Sequence, residues 1–354
     1  MSGRDERPEI RSPAGPRLPT LGTVDIRVLD PTDEALVRRH WDIGRAADLA
    51  HRPYDLYWPW ESAWATHSEG RTDMRSVLLG AFEGDTMWGA GQVDFPVHDN
   101  PHLTFAEFFV HPDRQRRGIG RALVEAGWQQ MCAAGRRTMT VEVFAPPEQP
   151  SAGLRCAQAL GFTEAITDVM KVVDLKGTEA SWVGLATDAA RHHAGYQLLT
   201  WHDLVPPELV PGYCVLNEAF VDEAPMGDLD VEAERWDPQR VREQEARNAR
   251  SGRHVVATFA LDADGTVVGA TEVMVNENVR WRGMQSGTLV LPGHRGHRLG
   301  LAMKLANHAA VRERWPEVEV LFTGNAGVNA PMNAVNERLG YADFERCVEV
   351  QRSL

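Results

Sequence analysis

Two stretches of the chain place glycine beside arginine or histidine where a helix begins: residues 110–127, VHPDRQRRGIGRALVEAG, and residues 290–307, VLPGHRGHRLGLAMKLAN. A glycine-rich turn feeding a helix gathers unpaired N–H groups and the positive helix end around one point, which makes an anion site. Phosphate is the natural guest. A dinucleotide-binding turn competes with that reading, because Glu142 follows the first loop at a distance suited to a ribose ligand. Against it, the run HPDRQRR separates Val110 from Gly118, and Leu123 stands where a third glycine belongs. A helix start with no ligand is the plain alternative for one loop; two loops at matching positions weigh against it. A third candidate is Glu272, a lone carboxylate in GATEVMV. If its side chain is buried its pKa rises toward that of a general base, and if strand alternation turns it outward it is solvated.

The elements that hold these residues recur. At an offset of 180, Gly89 and Ala90 meet Gly269 and Ala270, Val110 meets Val290, Pro112 meets Pro292, Gly120 meets Gly300 and Ala122 meets Ala302. At 179, Leu160 and Gly161 meet Leu339 and Gly340. Each copy reads as strand, turn, strand, glycine loop, helix, strand, short helix and closing strand, so the expected class is α/β with a mixed sheet in two tandem domains. The expected division is an N-terminal arm over 1–22, a first domain over 23–176, a linker over 177–195 and a second domain over 196–354.

Composition narrows the function classes. The 354 residues, 43% of them hydrophobic, suffice for two cores. A net charge of −13 argues against a general nucleic-acid binder, since phosphate affinity needs a cationic face. Cys132, Cys156, Cys214 and Cys347 form no CxxC pair and no zinc spacing, which predicts reduced thiols, no metal and a cytoplasmic location. No segment reaches the apolar length of a membrane span, and the N-terminus lacks the apolar run of a signal peptide.

The run from Val110 through Gln115, Arg116, Arg117, Gly118, Ile119 and Gly120 resembles the acyl-coenzyme A loop, Gln/Arg-x-x-Gly-x-Gly/Ala, of the GCN5-related N-acetyltransferases (GNAT), and Leu160-Gly161-Phe162 is similar to the close of that domain. The second loop is the weaker match, because Arg298 falls where Gly118 sits and only Gly300 and Ala302 are kept. The resemblance implies a sheet whose fourth and fifth strands splay to admit pantetheine. It implies acetyl-CoA as co-substrate, held in the first copy by Val110 and the segment Gln115 to Arg121, and in the second by Val290, Arg295, Gly296, Arg298, Gly300, Ala302 and Asn329.

For catalysis the resemblance points to Glu107, three residues before Val110, where several members carry the general base; in a solvated strand the same residue would do nothing. The second copy has Gly287 there, which leaves Glu272, with the C-terminal carboxylate of Leu354 as a third candidate. The tyrosine acid of many members is missing from both copies. Ala157 and Pro150 stand at the acid and cofactor-asparagine positions of the first copy, and Asn336 and Asn329 at those of the second. Asn325, Asn329, Asn333 and Asn336 form a polar stripe that either caps and solvates a helix or meets a ligand.

Two segments are expected near an acceptor. Tyr54, Tyr57, Trp58, Trp60 and Trp64 either form an aromatic wall for a ring or cation or fill the seam between domains. Residues 222–237 carry seven carboxylates against Arg235, which either draw in a cationic amine or are a solvated face. The resulting expectation is an N-acetyltransferase acting on the primary amine of a small molecule in a ternary complex, as monomer or homodimer. A non-catalytic acyl-coenzyme A binder and an enzyme for longer acyl chains are the alternatives.

Overall fold

A computed structural model describes residues 24–149 and 151–354; the expected N-terminal arm and Pro150 lie outside them. The first copy runs β1 (Asp25–Val28), α1 (Glu34–Leu49), α2 (Trp60–Glu69), β2 (Met74–Glu83), β3 (Thr86–Pro96), β4 (Leu103–Val110), α3 (Ile119–Ala133), β5 (Thr138–Ala145), α4 (Ala152–Ala159) and β6 (Thr163–Asp174). A helix, α5 (Leu175–Ala190), occupies most of the expected linker. The second copy runs β7 (Gln197–His202), α6 (Val210–Glu223), α7 (Pro238–Arg250), β8 (Arg253–Leu261), β9 (Val267–Asn276), β10 (Val279–Val290), α8 (Leu299–Arg314), β11 (Val320–Ala326), α9 (Ala330–Leu339) and β12 (Ala342–Ser353). Among the described residues no helix is long and apolar enough to cross a membrane.

All twelve strands join one mixed sheet in the order β1-β2-β3-β4-β5-β12-β6-β11-β10-β9-β8-β7. The closing strands are exchanged. β12, from the second copy, lies between β5 and β6, while β6, from the first, continues onto β11. Every pairing in this central stretch is antiparallel, and the sheet passes from one copy to the other without an exposed edge.

Two further features fix the relation of the copies. Trp182 on α5 is buried and donates its indole N–H to the Leu339 carbonyl at 3.0 Å, docking that helix on the second copy. The acidic segment 222–237 crosses to the first copy: the Asp228 amide donates to the Ala165 carbonyl, the Glu232 amide to Asn100 Oδ1 at 2.7 Å, and Thr138 Oγ1 to the Asp230 carboxylate at 3.0 Å. These bonds, with Arg240 ion-paired to Asp99 and Glu234, make the segment a strap between copies, which corrects its reading as an open acidic lure. The aromatic run divides. Tyr54 packs edge-on against Phe322 and Phe344 of the second copy, whereas Trp60 meets Trp41 and Trp64.

On one side of the first copy's sheet, Leu123, Val93, Met139, Val348 and Val350 pack under α3 and α4. On the other, Val37, Ile43, Leu78 and Ala90 pack under α1. The candidate site opens on the α1 side, where the sheet is not filled by apolar residues.

Candidate functional site

Helix α3 starts without a side-chain cap, unlike α1, α4, α5, α7 and α9, whose Asp, Ser or Asn caps bond the first turn. Its N-cap is Gly118 at φ 86°, a left-handed position that glycine adopts without a Cβ clash. Among the described residues the first-turn N–H groups of Ile119, Gly120 and Arg121 have no backbone acceptor. A Cβ added at Gly120 would meet only Val110 Cγ2 at 3.5 Å, an ordinary contact, so the space above that residue is open rather than structurally required. Arg116 and Arg117 are exposed and make no ion pair among the described residues, while Arg121 reaches Glu125 at 3.6 Å. Gln115 Nε2 touches the Val110 carbonyl at 3.5 Å. The cradle fits a diphosphate: free donors, two uncommitted cations and room.

The second loop repeats the backbone with the residue types interchanged. Left-handed φ occurs at Arg116 and Gly118 in the first copy and at Gly296 and Arg298 in the second. Here the charge is already used. Arg298 pairs with Asp188 of α5, which also accepts from Arg338 at 2.9 Å, and Arg295 pairs with Glu223 at 2.6 Å while donating to the Val290 carbonyl. Asp188→Asn is expected to shift Tm by no more than about 4 °C, as half-exposed pairs are worth under about 1 kcal/mol, and to leave acetyl-coenzyme A affinity within about twofold. A tenfold gain by calorimetric titration would mean that Asp188 holds a usable loop shut.

The two strand splays differ as well. β4 and β5 pair in parallel only from Leu103↔Thr138 to Ala106↔Val141, so the next residues, Glu107 and Glu142, face each other where the strands part. β10 and β11 pair from Arg282↔Val320 to Met284↔Phe322, but the next step is bridged, Thr323 Oγ1 donating to the Gln285 carbonyl at 3.1 Å. Behind it a buried polar network fills the second copy. Lys304 donates to Asn336 at 2.9 Å, Asn336 bonds Asn325, and His308 meets Gln285 at 3.0 Å. Burial brings the Lys304 ammonium down to about 7. Asn329 caps α9 by accepting from the Met332 amide, and Asn333 donates to the Ala326 carbonyl, so every asparagine of the stripe has a partner within the protein. Ala302 is buried in the core, and Phe220 lies over Gly287, the counterpart of Glu107.

Around Glu107 the α1 side of the sheet is acidic. Phe105 pairs with Thr140, so Glu107 and Glu142, two residues on, share a face; Glu142 pairs with Glu349, and Cys347, two residues before it, pairs with Asp168. Four carboxylates from β4, β5, β12 and β6 thus point the same way, and Glu349 belongs to the exchanged strand. Glu107 is open to solvent yet walled by protein on most sides, and that desolvation, reinforced by Glu142, Asp94 and Asp48, lifts its carboxyl to about 7. Arg52 closes one end of the cleft, bonded to Asp48 at 2.8 Å and Glu345 at 2.5 Å with its guanidinium 3.6 Å over Phe144. Tyr57 stands edge-on to Phe109 at 5.7 Å, and burial raises its phenol above the usual range.

Glu349 also reaches about 7, through burial first and then repulsion from Glu142 and Asp168. A carboxyl whose folded pKa lies above its ordinary 4.5 costs stability progressively as pH rises from there to about 7, and in full above it. Glu349→Gln is therefore expected to raise Tm by about 2–4 °C at pH 8, with the gain fading toward pH 4.5 in thermal melts. A gain independent of pH would point to packing instead.

The other candidates lie elsewhere. Glu272 is under α6, where Tyr213 Oη donates to it at 2.6 Å; burial raises its pKa and this bond offsets part of the rise. Leu354 donates its amide to the Arg137 carbonyl beyond the far end of β5, so its carboxylate is remote from the splay. Sequence reasoning missed Asp168, Glu349 and Arg52 and considered Glu142 only as a ribose ligand. The available signal was a single acid in each of two β-rich runs, TVEVF and CVEVQ.

Known proteins resemble this chain in sequence and fold. Residues 41–162 match the Acetyltransferase (GNAT) family. A mycothiol acetyltransferase from Saccharomonospora viridis is 27% identical over 250 residues, 69% of this chain and 72% of that protein. A tandem GNAT protein from the clavulanic acid biosynthesis pathway superposes with a TM-score of 0.76 at 25% identity, covering 93% of this chain and 98% of its own. A GCN5-related N-acetyltransferase from Sphaerobacter thermophilus shares the fold with a TM-score of 0.61 at 17% identity, over 94% of this chain and 96% of its own. Residues 41–162 carry the match to the GNAT acetyltransferase family, and the chain as a whole shares its fold with a tandem GNAT protein.

Proposed function

We propose that the protein acetylates a primary amine of a small molecule, with acetyl-coenzyme A bound by the first copy and the amine received by the acidic face beneath it. The observation that carries this reading is the opposition of charge across one open splay: uncommitted N–H groups and arginines at the α3 loop, and the carboxylates of Glu107, Glu142, Glu349 and Asp168 on the sheet. Bound acetyl-coenzyme A supplies an activated acetyl thioester. The loop from Gln115 to Arg121 holds its phosphates, and the free strand edges admit the pantetheine. Glu107, titrating near 7, removes the proton an ammonium acceptor must lose before it attacks. The neighbouring carboxylates hold the amine as a cation until that transfer. We assign the base to Glu107 rather than Glu272, because Glu272 already accepts from Tyr213 and its copy has a bridged splay.

On this reading the segments 23–176 and 196–354 are units of unequal task, the second completing the first by lending β12. The test is thiol release from acetyl-coenzyme A across a panel of primary amines, with the acetylated product confirmed by mass spectrometry. Tight cofactor binding without turnover of any amine overturns the reading in favour of a non-catalytic binder, and preference for larger thioesters corrects the donor.

A further inference from the structure

Beside Tyr57, α1, the segment 55–61 and residues 278–282 line a cavity of about 280 Å³. Its walls are the indoles of Trp41, Trp58 and Trp60, and its polar groups are incompletely partnered. Arg282, contributed by the second copy, is 8% exposed; its Nη2 donates to the Tyr57 carbonyl at 3.1 Å, its Nε has no partner, and no carboxylate forms an ion pair with it among the described residues. Across the cavity, Asp55 bonds Arg45 at 2.6 Å through Oδ2, while its Oδ1 is buried without a partner. A guanidinium in this setting is costly to leave unpaired, and so is a carboxylate oxygen. Arg282 and Asp55 lie near enough to influence each other but do not bond. The gap between a free cation and a free acceptor, under aromatic walls, matches an amino-carboxylate whose carboxylate meets Arg282 and whose ammonium meets Asp55.

The cavity adjoins the cleft through one side chain. Tyr57 lines the cavity, packs on Phe109 two residues beyond Glu107, and feels the charge of Glu107. We propose that the acceptor is an amino acid carrying a second amine: its amino-carboxylate end occupies this cavity and its distal amine passes Tyr57 to Glu107. This rests on the acetyltransferase reading. In the reaction the distal ammonium gives one proton to Glu107, and the free amine forms the N–C bond to the acetyl carbonyl carbon. As the C–S bond breaks, the nitrogen loses its second proton, and water relays it to the departing thiolate.

The test compares L-lysine and L-ornithine with cadaverine and putrescine, the same chains without the carboxylate. Wild type should favour the amino acids by about tenfold or more in kcat/KM, the scale of one charge-assisted bond. Arg282→Gln should bring the ratio to about one while leaving the diamines within about threefold, and Arg282→Lys should restore part of it. Equal rates in wild type, or a preference unchanged by Arg282→Gln, would overturn the proposal. Asp55→Asn, expected to weaken only the amino acids, replaces Arg282→Gln if that variant does not fold. Calorimetric titration of L-lysine and L-ornithine separates the two readings: binding lost in Arg282→Gln without turnover keeps the cavity and counts against the chemistry, and no binding of either amino acid overturns the cavity.

Discussion

Gly120→Glu will weaken acetyl-coenzyme A binding by about a hundredfold or more, close to 2.7 kcal/mol, whereas Gly300→Glu will change it less than about threefold. The asymmetry follows from what surrounds two loops of the same backbone shape. At Gly120 a side chain enters open space, its Cβ touching only Val110 at 3.5 Å, and a carboxylate in the first turn of α3 favours the helix. The fold therefore tolerates the change, and the loss reads the ligand: the new carboxylate occupies and repels the position that the free N–H groups and Arg116 and Arg117 offer to phosphate. At Gly300 the same carboxylate meets a loop whose arginines already pair with Asp188 and Glu223, beside a splay bridged by Thr323 and Gln285. Calorimetric titration of wild type and both variants decides it. Two sites in wild type, each removed by its own variant, would show that the second loop still binds despite its ion pairs. Gly120→Ala, expected to fold as wild type, separates the steric from the electrostatic part.

The loops were legible because the left-handed turn, the glycines and the helix start lie within one local stretch, and the repeat placed the second by arithmetic. The side chains that distinguish the copies were not, because their partners come from far along the chain. Arg298 was visible as a departure from glycine, but its partner Asp188 is 110 residues away on a helix read as a linker. Strand exchange has no local signature either. The closing strands of the two copies look alike, and an antiparallel β6–β12 pair satisfies both backbones as well as each copy closing on itself. That choice of partner brings Glu349 beside Glu142, so an acidic face assembled from both copies is invisible to a copy-by-copy reading. The same holds for residues 222–237, which read as free charge until Thr138 and Arg240 bond the Asp230 and Glu234 carboxylates and Asn100 bonds the Glu232 backbone.

Glu107→Gln is expected to lower kcat/KM by about 10² to 10³ at pH 8, the usual share of a positioned general base, with little change in acetyl-coenzyme A affinity. The pH profile is the stronger discriminator. With its carboxyl at about 7, Glu107 is largely protonated at pH 6 and cannot accept a proton; kcat/KM of the wild type should rise through that pH region and level above about 8. In Glu107→Gln this limb disappears. Glu142→Gln supplies the opposite control. Desolvation is the largest cause of the raised pKa and repulsion from Glu142 the next, so neutralising Glu142 leaves the base in place and moves the limb toward lower pH. A residue that merely shapes the cleft would lower the rate at every pH without moving the limb. If Glu107→Gln keeps the wild-type profile, the base lies elsewhere; Glu272 then becomes the candidate, and its bond to Tyr213 would have to open before it could act.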